Sequence, residues 1–232
     1  MNMALIIPAY NALSTLPRLL KNAGQIFDKR HILVIDDGST DDTAAAAQDA
    51  GANLIRHPQN RGKGAALRTG FNWALEQDYE AIITMDADGQ HDEREIPKFL
   101  EAGETQTGAI IIGSRMDRPA GMPWHRRFSN RLTSRILSWR TGQHIRDSQC
   151  GYRFIRTEVL RQITLDTTRF QTESELLIKA SINGFRIESI PIRTIYTAPH
   201  SSMRLGADTW RFVVLMIKSM AWKSKKAVSS NQ

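Results

Sequence analysis

The sequence predicts an α/β fold with a mostly parallel central sheet and helices on both of its faces. Through the first half of the chain, short and almost continuously apolar segments alternate with longer segments of helical apolar spacing. Near-continuous apolar strands are typical of parallel strands that are buried on both faces. The length of 232 residues and the 41% apolar composition fit one globular domain.

The expected elements of the first half follow one another as strand and helix. The strands are 4–7, 31–35, 53–56, 81–85 and 109–112, and the helices between them are 13–23, 43–50, 65–75 and 96–102. Gly51 is expected to end the second of these helices. The second half is less regular, with helices at 126–139, 173–182 and 207–222, a short strand entered by residues 146–154, and a strand at 186–195.

Charge divides the chain into an acidic and a basic half. Residues 1–114 contain 10 Lys and Arg against 16 Asp and Glu, whereas residues 115–232 contain 21 against 8. A basic surplus of this size predicts attraction to an anionic partner such as a membrane surface. Nucleic acid is disfavoured, because the basic residues are not interleaved with an exposed aromatic platform and match no known nucleic-acid-binding module.

The cysteine count and the apolar runs limit the compartment. The single cysteine, Cys150, excludes a disulfide framework and a cysteine-based zinc site, and it fits a reducing compartment. The first residues lack the basic segment of a signal peptide, and Pro8 ends their apolar run. No apolar run approaches the roughly 20 residues of a membrane-spanning helix. We therefore expect a cytoplasmic protein, either free in solution or peripheral on the inner face of the membrane.

Polar or glycine-containing motifs follow five consecutive predicted strands. In order they are PAYN (8–11), DDGSTDD (36–42), NRGKGAA (60–66), DADGQHD (86–92) and GSR (113–115). Ligands of parallel α/β sheets bind at the carboxyl ends of the strands. These motifs therefore predict one binding site along a single edge of the sheet.

Asp86 and Asp88 are the most specific feature of this edge. Two carboxylates two residues apart after a buried strand can both reach one hard cation, and Gln90 or His91 can complete the shell. Such oxygen ligands suit Mg²⁺ or Mn²⁺ shared with substrate phosphates, and His91 fits better behind the ligands than as one of them. The alternative interpretation is a solvated acidic loop.

Two further positions of the edge have two interpretations each. Asp37 follows a strand, where it can accept a hydrogen bond from a base or a ribose hydroxyl. Alternatively it is part of a capping segment in which Ser39 or Asp41 caps the next helix. Lys63 is flanked by glycines at the start of a predicted helix and can contact a diphosphate, or it is a solvated turn residue.

Three acidic residues of the second half are candidate bases. Glu173 and Glu175 open a predicted helix, and a carboxylate there can deprotonate an acceptor hydroxyl. Asp147 is a candidate base for the same reason, because its carboxylate can also accept the proton of a hydroxyl. The alternative is a capping box, with Thr172 as the N-cap and Glu175 at the third helical position.

In their order along the chain, the motifs resemble those of the inverting family 2 glycosyltransferases with a GT-A fold. They are PAYN, DDGSTD, NRGKG, DADGQH, GSR, DSQCGYRF and FQTESELLIKA, and the resemblance extends over residues 8–211. Within the family the sequence most resembles the dolichyl- or polyprenyl-phosphate sugar transferases. The resemblance implies one GT-A domain with a nucleotide-sugar half at 1–114, an acceptor half at 115–224 and a flexible tail at 225–232.

The resemblance also implies roles for individual residues. They are Pro8, Tyr10, Asn11 and Asp37 for the nucleoside; Asp86, Ala87, Asp88, Gln90 and Lys63 for the metal and the diphosphate; and Arg115, Arg126, Arg127, Arg131 and Arg204 for the acceptor phosphate. The implied cofactor is Mg²⁺ or Mn²⁺. The implied partners are a nucleotide sugar, a lipid phosphate or other cell-envelope acceptor and, since no spanning helix is expected, a separate membrane-anchor protein.

The implied reaction is inverting transfer of a hexose. The metal, held by Asp86 and Asp88, acts with Lys63 to neutralise the departing nucleoside diphosphate while the acceptor attacks the anomeric carbon from the opposite face. A lipid phosphate is already anionic and needs no strong base. A hydroxyl of a glycolipid or polysaccharide requires Glu173, Glu175 or Asp147 as base. A sugar nucleotidyltransferase is the less favoured alternative, because PAYN lacks a glycine-rich loop with a basic residue for a triphosphate.

Two amphipathic segments have an open interpretation. The helices that contain Arg127 and Trp210 can lie in a membrane interface, with their tryptophans at headgroup level. These tryptophans are Trp124, Trp139, Trp210 and Trp222. Alternatively, the apolar stripes of both helices are buried in the core.

Overall fold

The computed structural model describes residues 1–117, 121–195 and 205–223. The strands are β1 Met3–Ala9, β2 Ile32–Asp36, β3 Asn53–Arg56, β4 Ala81–Thr84, β5 Ile110–Ser114, β6 Arg153–Arg156 and β7 Ile187–Pro191. The helices are α1 Leu16–Ala23, α2 Thr43–Asp49, α3 Lys63–Glu76, α4 Ile96–Thr105, α5 Trp124–Thr141, α6 Thr157–Gln162, α7 Gln171–Ile182 and α8 Leu205–Ser219. Two 3₁₀ turns lie at Lys29–His31 and Glu93–Glu95.

All seven strands form one sheet in the order β3-β2-β1-β4-β6-β5-β7. Only β6 is antiparallel to its neighbours β4 and β5, and the other pairs in this sheet are parallel. The prediction of a mostly parallel α/β fold is therefore confirmed. Because β6 is reversed, the segment that leads into it approaches from the edge where the parallel strands end. Arg153, the first residue of β6, pairs with Thr84 of β4 and with Ile112 of β5 at that edge.

The centre of the sheet is buried by helices on both faces. Leu5, Ile6 and Ile7 of β1 are fully buried, as expected for a central strand that is covered on both sides. Helix α3 packs so closely that a Cβ added at Gly70 would lie 2.5 Å from Cγ2 of Ile6. Each fully buried aliphatic side chain of this kind contributes about 1.5–3 kcal/mol relative to an exposed one. Close packing here fixes where α3 begins at the edge of the sheet.

Several predicted bounds differ from the observed ones. Helix α1 begins at Leu16 rather than residue 13, because Pro17 lies in its first turn, where a missing N–H costs no helical hydrogen bond. Helix α6 was not predicted, since its six residues are too few to show a period. Strand β7 ends at Pro191 and α8 ends at Ser219, both earlier than expected. The predicted tail at 225–232 lies outside the described residues.

Trp222 does not take the position expected of it. Its side chain packs against the hydrophobic core, and Nζ of Lys179 lies 4.7 Å from its ring centroid. The expectation that Trp222 lies at headgroup level is therefore wrong. Every helix in the described ranges is too short or too polar to cross a bilayer.

Candidate active site

Lys63 lies at the centre of the site. It is the first residue of α3, and its Nζ is 2.7 Å from Oδ1 of Asp86 and 3.0 Å from Oε2 of Glu173. Gly62, which precedes it, has a φ of +99°, a conformation that glycine adopts without strain. The structure thus brings together three residues that the sequence predicted separately, from the start of α3, the loop after β4 and the start of α7.

The charges of this cluster stabilise one another. Burial alone would lower the pKa of Lys63, but Asp86 and Glu173 outweigh burial and hold that pKa above its usual range. Burial alone would raise the pKa of Asp86, but Lys63 and His91 outweigh it and hold that pKa well below its usual range. Both groups are therefore charged at neutral pH, and the segments that carry them are held together by a half-buried pair of opposite charges.

Gly151 fixes the other side of Asp86 and was not recognised from the sequence. A Cβ at this position would lie 2.4 Å from Oδ2 of Asp86, so only glycine leaves room for the carboxylate. The carbonyl of Gly151 accepts a hydrogen bond of 2.8 Å from the hydroxyl of Thr84. The sequence shows a glycine within DSQCGYRF, but its contact with Asp86 can be recognised only once the order of the strands is known.

Asp88 and Gln90 complete the turn after β4. Asp88 is exposed, and its Oδ1 accepts a hydrogen bond of 2.9 Å from the backbone N–H of Gln90. Gly89 between them has a φ of +74°, which permits the tight turn. His91 is buried, and its Nε2 lies 3.7 Å from Oδ2 of Asp86. This position behind Asp86 agrees with the expectation that His91 supports a ligand.

The donor set fits a hard divalent cation that is shared with a substrate. Asp86 and Asp88 offer carboxylate oxygens, and such oxygens suit Mg²⁺ and Mn²⁺. No group of three or more His, Cys, Asp or Glu that could hold a metal occurs among residues 1–117, 121–195 and 205–223. Two carboxylates are part of a coordination shell that phosphate oxygens and water would complete.

The PAYN segment joins the site to the loop after β2. Pro8 is buried in β1, and Tyr10 exposes 48% of its surface. Asn11 has a φ of +49°, donates its N–H to Oγ of Ser39, and accepts at Oδ1 from the N–H of Thr40, both at 2.9 Å. Tyr10 is thus the one side chain of this segment that is open for stacking on a ligand, and Asn11 holds the loop.

Asp37 does not take the expected position for a nucleoside ligand. Its carboxylate is buried and accepts hydrogen bonds from the N–H groups of Arg61 at 3.0 Å and Gly62 at 2.7 Å. Nδ1 of His57 lies 2.7 Å from its Oδ1. With both oxygens engaged inside the chain, Asp37 shapes the loop that presents Lys63. The sequence gives no signal for the partner His57, because no local spacing links the two residues.

The expected cap of α2 is only partly observed. Oδ1 of Asp41 accepts a hydrogen bond of 3.1 Å from the N–H of Thr43, the first residue of α2. Ser39 instead uses its hydroxyl for the N–H of Asn11. The N-cap residue of α2 is Asp42, whose side chain makes no capping hydrogen bond. Asp41 therefore supports the first turn from one residue before the cap, and the prediction that Ser39 caps the helix is wrong.

Glu173 and Glu175 have different surroundings. Glu173 faces Lys63, and its Oε1 lies 3.6 Å from Nη2 of the buried Arg153. Glu175 is fully buried, and its two oxygens accept from the N–H groups of Asp166 and Thr167 at 3.0 and 2.9 Å. This geometry argues against Glu175 as a base and assigns it to the support of the loop before α7.

The predicted capping box is not formed. Helix α7 begins at Gln171, and its N-cap Phe170 makes no capping hydrogen bond through its side chain. Thr172 lies inside the helix, where its hydroxyl accepts a hydrogen bond of 2.8 Å from the hydroxyl of Thr167. The expectation failed because the helix begins at Gln171, two residues earlier than a helix capped by Thr172 would begin.

Asp147 orients Arg115 and is not available as a base. Nε and Nη2 of Arg115 donate to its two oxygens at 2.8 and 2.9 Å, and Nδ2 of Asn130 donates at 2.6 Å. Burial alone would raise the pKa of Asp147, but Arg115 and Asn130 outweigh burial and lower that pKa. The buried pair therefore fixes the Arg115 guanidinium where the chain leaves β5.

The remaining predicted arginines are not all gathered at Arg115. Arg126 and Arg127 are half-buried in the first turn of α5, and Nε of Arg127 is buried without a hydrogen-bond partner among the described residues. Arg131 lines an open groove of about 740 Å³, and Met116, the residue after Arg115, lines the same groove. Arg204 lies outside the described residues.

Comparison with known proteins places this site in a family. The family model for glycosyl transferase family 2 matches residues 4–164, more than half of the chain. The chain belongs to this family. The matched region contains the strand-end motifs, Lys63, Asp86 and Asp88, and it ends before Glu173.

Several relatives of this glycosyltransferase are similar over most of their length. The polyprenol monophosphomannose synthase of Mycolicibacterium smegmatis is 34% identical over 81% of this chain and 75% of its own. The UDP-N-acetylglucosamine–dolichyl-phosphate N-acetylglucosaminyltransferase of Methanococcus voltae is 33% identical over 83% of this chain and 85% of its own.

A solved structure shows the same fold at low identity. Glucosyl-3-phosphoglycerate synthase from Mycobacterium tuberculosis, crystallised with Mn²⁺, uridine diphosphate and phosphoglyceric acid, has a TM-score of 0.72 and 16% identity. The similarity covers 97% of this chain and 80% of that one. The glycosyltransferase described here therefore has the GT-A architecture.

Proposed function

We propose that this glycosyltransferase moves a sugar from a nucleotide sugar to the phosphate of a polyprenyl-type lipid, with Mg²⁺ or Mn²⁺ as cofactor. The relatives named for polyprenol and dolichyl phosphate support the acceptor class. The cytoplasmic face of a membrane is the corresponding place of action. If the chain alone binds the membrane weakly, we expect a separate anchor protein to recruit it to the membrane.

The observation that carries the proposal is that each candidate base is already engaged. Asp147 is occupied by Arg115 and Asn130, and Glu175 by the loop before α7. Glu173 faces the site but lies between the cations of Lys63 and Arg153. Both carboxylate oxygens of Glu173 are therefore already engaged, Oε2 by Lys63 and Oε1 by Arg153. An acceptor that is already anionic needs no such base.

Residues of the donor side have separable tasks in this proposal. Tyr10 offers an exposed ring to the base, and Lys63 offers its ammonium to the diphosphate as charge develops there. Asp86 and Asp88, with Gln90 beside them, would hold the cation. When bound, a divalent cation supplies positive charge that stabilises the leaving nucleoside diphosphate.

Residues of the acceptor side present cationic groups to a phosphate. Asp147 holds the Arg115 guanidinium in one orientation through two parallel hydrogen bonds. The buried Nε of Arg127 is a further donor that an anion would satisfy. Arg126 adds positive charge in the same turn of α5. The phosphate oxygen would then be positioned to attack the sugar carbon opposite the departing diphosphate.

A panel of nucleotide sugars tests the proposal. Each is incubated with Mn²⁺ or Mg²⁺ and a short-chain prenyl phosphate, and release of nucleoside diphosphate is measured. We expect release with at least one donor, dependent on both metal and prenyl phosphate. The variant Asp88→Asn should release nucleoside diphosphate at least tenfold more slowly, since one carboxylate is removed from the metal site. The matched variant of an exposed aspartate, Asp42→Asn, should keep the wild-type rate.

Two outcomes would contradict the proposal. Equal activity with a prenyl alcohol of the same length would show that the acceptor group is a hydroxyl. Release of pyrophosphate from a nucleoside triphosphate and a sugar phosphate would identify a nucleotidyltransferase instead.

A further inference from the structure

Two neighbouring helices expose large apolar side chains. On α5 these include Trp124, which is 80% exposed, and Trp139, which is 70% exposed. On α8 they include Trp210 and Ile217, at 68% and 67%. Together with Phe128, Leu132, Val213 and Met220 they form what we call the α5–α8 surface. Exposed apolar residues grouped in this way mark interaction sites rather than ordinary surface.

The spacing places these residues on one side of each helix. In α5 they recur at positions 124, 128, 132 and 139, and in α8 at positions 210, 213 and 217, with Met220 directly after the end of α8. On α8 the opposite side carries the residues that pack inward, among them Leu215 and Met216. Each helix therefore has one face for the core and one apolar face without a partner among the described residues.

Direct contacts hold the two helices side by side. Nε of Arg140, near the end of α5, donates a hydrogen bond of 3.0 Å to Oγ of Ser219, the last residue of α8. Nη2 of Arg140 also donates to the Ser219 carbonyl. Both helices pack on α7. The two apolar faces thus belong to one region of the molecule.

The charge of this region selects the partner. Helix α5 has five arginines and no acidic residue, and Arg131 and Arg135 lie exposed beside its apolar face. Lys218 is exposed on α8. Apolar and aromatic residues flanked by basic ones complement a bilayer with anionic headgroups. A second copy of the chain would bring the same arginines against one another, which disfavours a homodimer through this face.

We propose that the α5–α8 surface docks on an anionic lipid bilayer, with its tryptophans at headgroup level and its arginines on lipid phosphates. The reason for docking rests on the proposed function, in which the acceptor is a lipid phosphate. The inner face of α5 carries Asn130, which binds Asp147 and thereby helps to fix Arg115. Docking through the outer face of the same helix brings the proposed acceptor residues next to the lipid.

Vesicle flotation tests the surface separately from catalysis. The probe is phosphatidylglycerol–phosphatidylcholine vesicles that contain no prenyl phosphate, with pure phosphatidylcholine vesicles for comparison. We expect the full chain to float with the anionic vesicles and to be released from them by high salt. The double variant Trp210→Ser with Ile217→Ser should bind at least tenfold more weakly, because two apolar anchors are removed. An exposed apolar residue outside both helices, Ile26, provides the control Ile26→Ser.

A charge variant tests the electrostatic part. Arg135→Gln with Lys218→Gln should weaken flotation by about fivefold per residue, the attraction expected for a basic residue near an anionic surface. The matched pair Lys21→Gln with Lys29→Gln removes the same charge from outside α5 and α8 and should have a smaller effect. An equal effect of both pairs would overturn the proposed surface.

Solution activity separates failure of the surface from failure of the function. The variant Trp210→Ser with Ile217→Ser should keep wild-type transfer to a short-chain, water-soluble prenyl phosphate. Transfer without flotation of the wild type would overturn the surface and leave the function intact. Flotation without transfer would overturn the function and leave the surface intact. If ultracentrifugation shows a dimer that the apolar variant dissociates, while flotation is unchanged, a second copy is the partner and the proposal is wrong.

Discussion

Replacing Gly151 by alanine tests how the carboxylate of Asp86 is held. The new Cβ would lie 2.4 Å from Oδ2, and ordinary contact begins at 3.4 Å, so the carboxylate must move by about 1 Å. The backbone of Gly151 cannot move easily instead, because its carbonyl is bound by the Thr84 hydroxyl at 2.8 Å. The carboxylate of Asp86 must therefore move away from residue 151, which changes the geometry of its 2.7 Å ion pair with Lys63.

We expect a large loss of activity and a smaller loss of stability. A misplacement of about 1 Å in a reacting assembly lowers the rate on the order of 100-fold. Added volume in a packed site lowers the free energy of unfolding by about 1–3 kcal/mol. Activity is measured as nucleoside diphosphate release under saturating donor, and stability by urea unfolding.

A matched glycine provides the control for this substitution. An added Cβ at Gly206 in α8 meets nothing within 4 Å, so Gly206→Ala should keep full activity and unfold at the same or slightly higher urea concentration. Activity of Gly151→Ala within threefold of the wild type would refute the claim that activity depends on the exact position of the Asp86 carboxylate.

Three further predictions concern groups outside the centre of the site. Asp147→Asn should lower the free energy of unfolding by about 3 kcal/mol at neutral pH, because Arg115 loses its buried partner. Since the folded pKa of Asp147 is lowered, its stabilisation is present above the unfolded pKa near 4 and is lost as the pH falls through the lower folded value. Glu175→Gln should lower the free energy of unfolding by about 2 kcal/mol, because residue 175 loses its ion pair with Lys179 at 2.6 Å and its charged hydrogen bonds to the loop before α7. Turnover per folded molecule of this variant should persist. Burial raises the pKa of Cys150 to about 12, so at pH 8 a thiol reagent should react with it only after unfolding.

Each of these has a contradicting result. Equal stability of Asp147→Asn and the wild type in urea at pH 7 would show that the Arg115 pair is not a buried contact. Loss of turnover in Glu175→Gln with unchanged unfolding would restore it as a base. Rapid labelling of Cys150 in the folded protein would contradict its burial.

The alternation of elements and the strand-end motifs were predictable because both depend on local pattern. Asp86 and Lys63 could be placed at one edge of the sheet from their positions after strands. Their direct ion pair could not be predicted, because it depends on how far α3 and the turn after β4 approach one another. Gly151 shows the same limit, since its meaning depends on β6 being inserted between β4 and β5.

The errors at the site come from residues whose partners are distant in sequence. Asp37 had the residue type and position of a ligand, but its oxygens bind His57 and the backbone at 61–62. Glu175 had the position of a base or cap, but the chain before α7 folds back over it. The apolar stripes of α5 and α8 remained open in the sequence, because burial depends on neighbours and not on period.

The product of the reaction tests the central claim most directly. Wild-type protein is incubated with a competent nucleotide sugar, metal and a short-chain prenyl phosphate. The lipid product is isolated, its mass is measured by mass spectrometry, and its anomeric configuration is determined by NMR spectroscopy. We predict one sugar added to the intact prenyl phosphate, joined through the phosphate with inverted configuration at the anomeric carbon, and absent with Asp88→Asn. A product that lacks the phosphate or retains the configuration, or one that Asp88→Asn makes at the wild-type rate, would contradict the account.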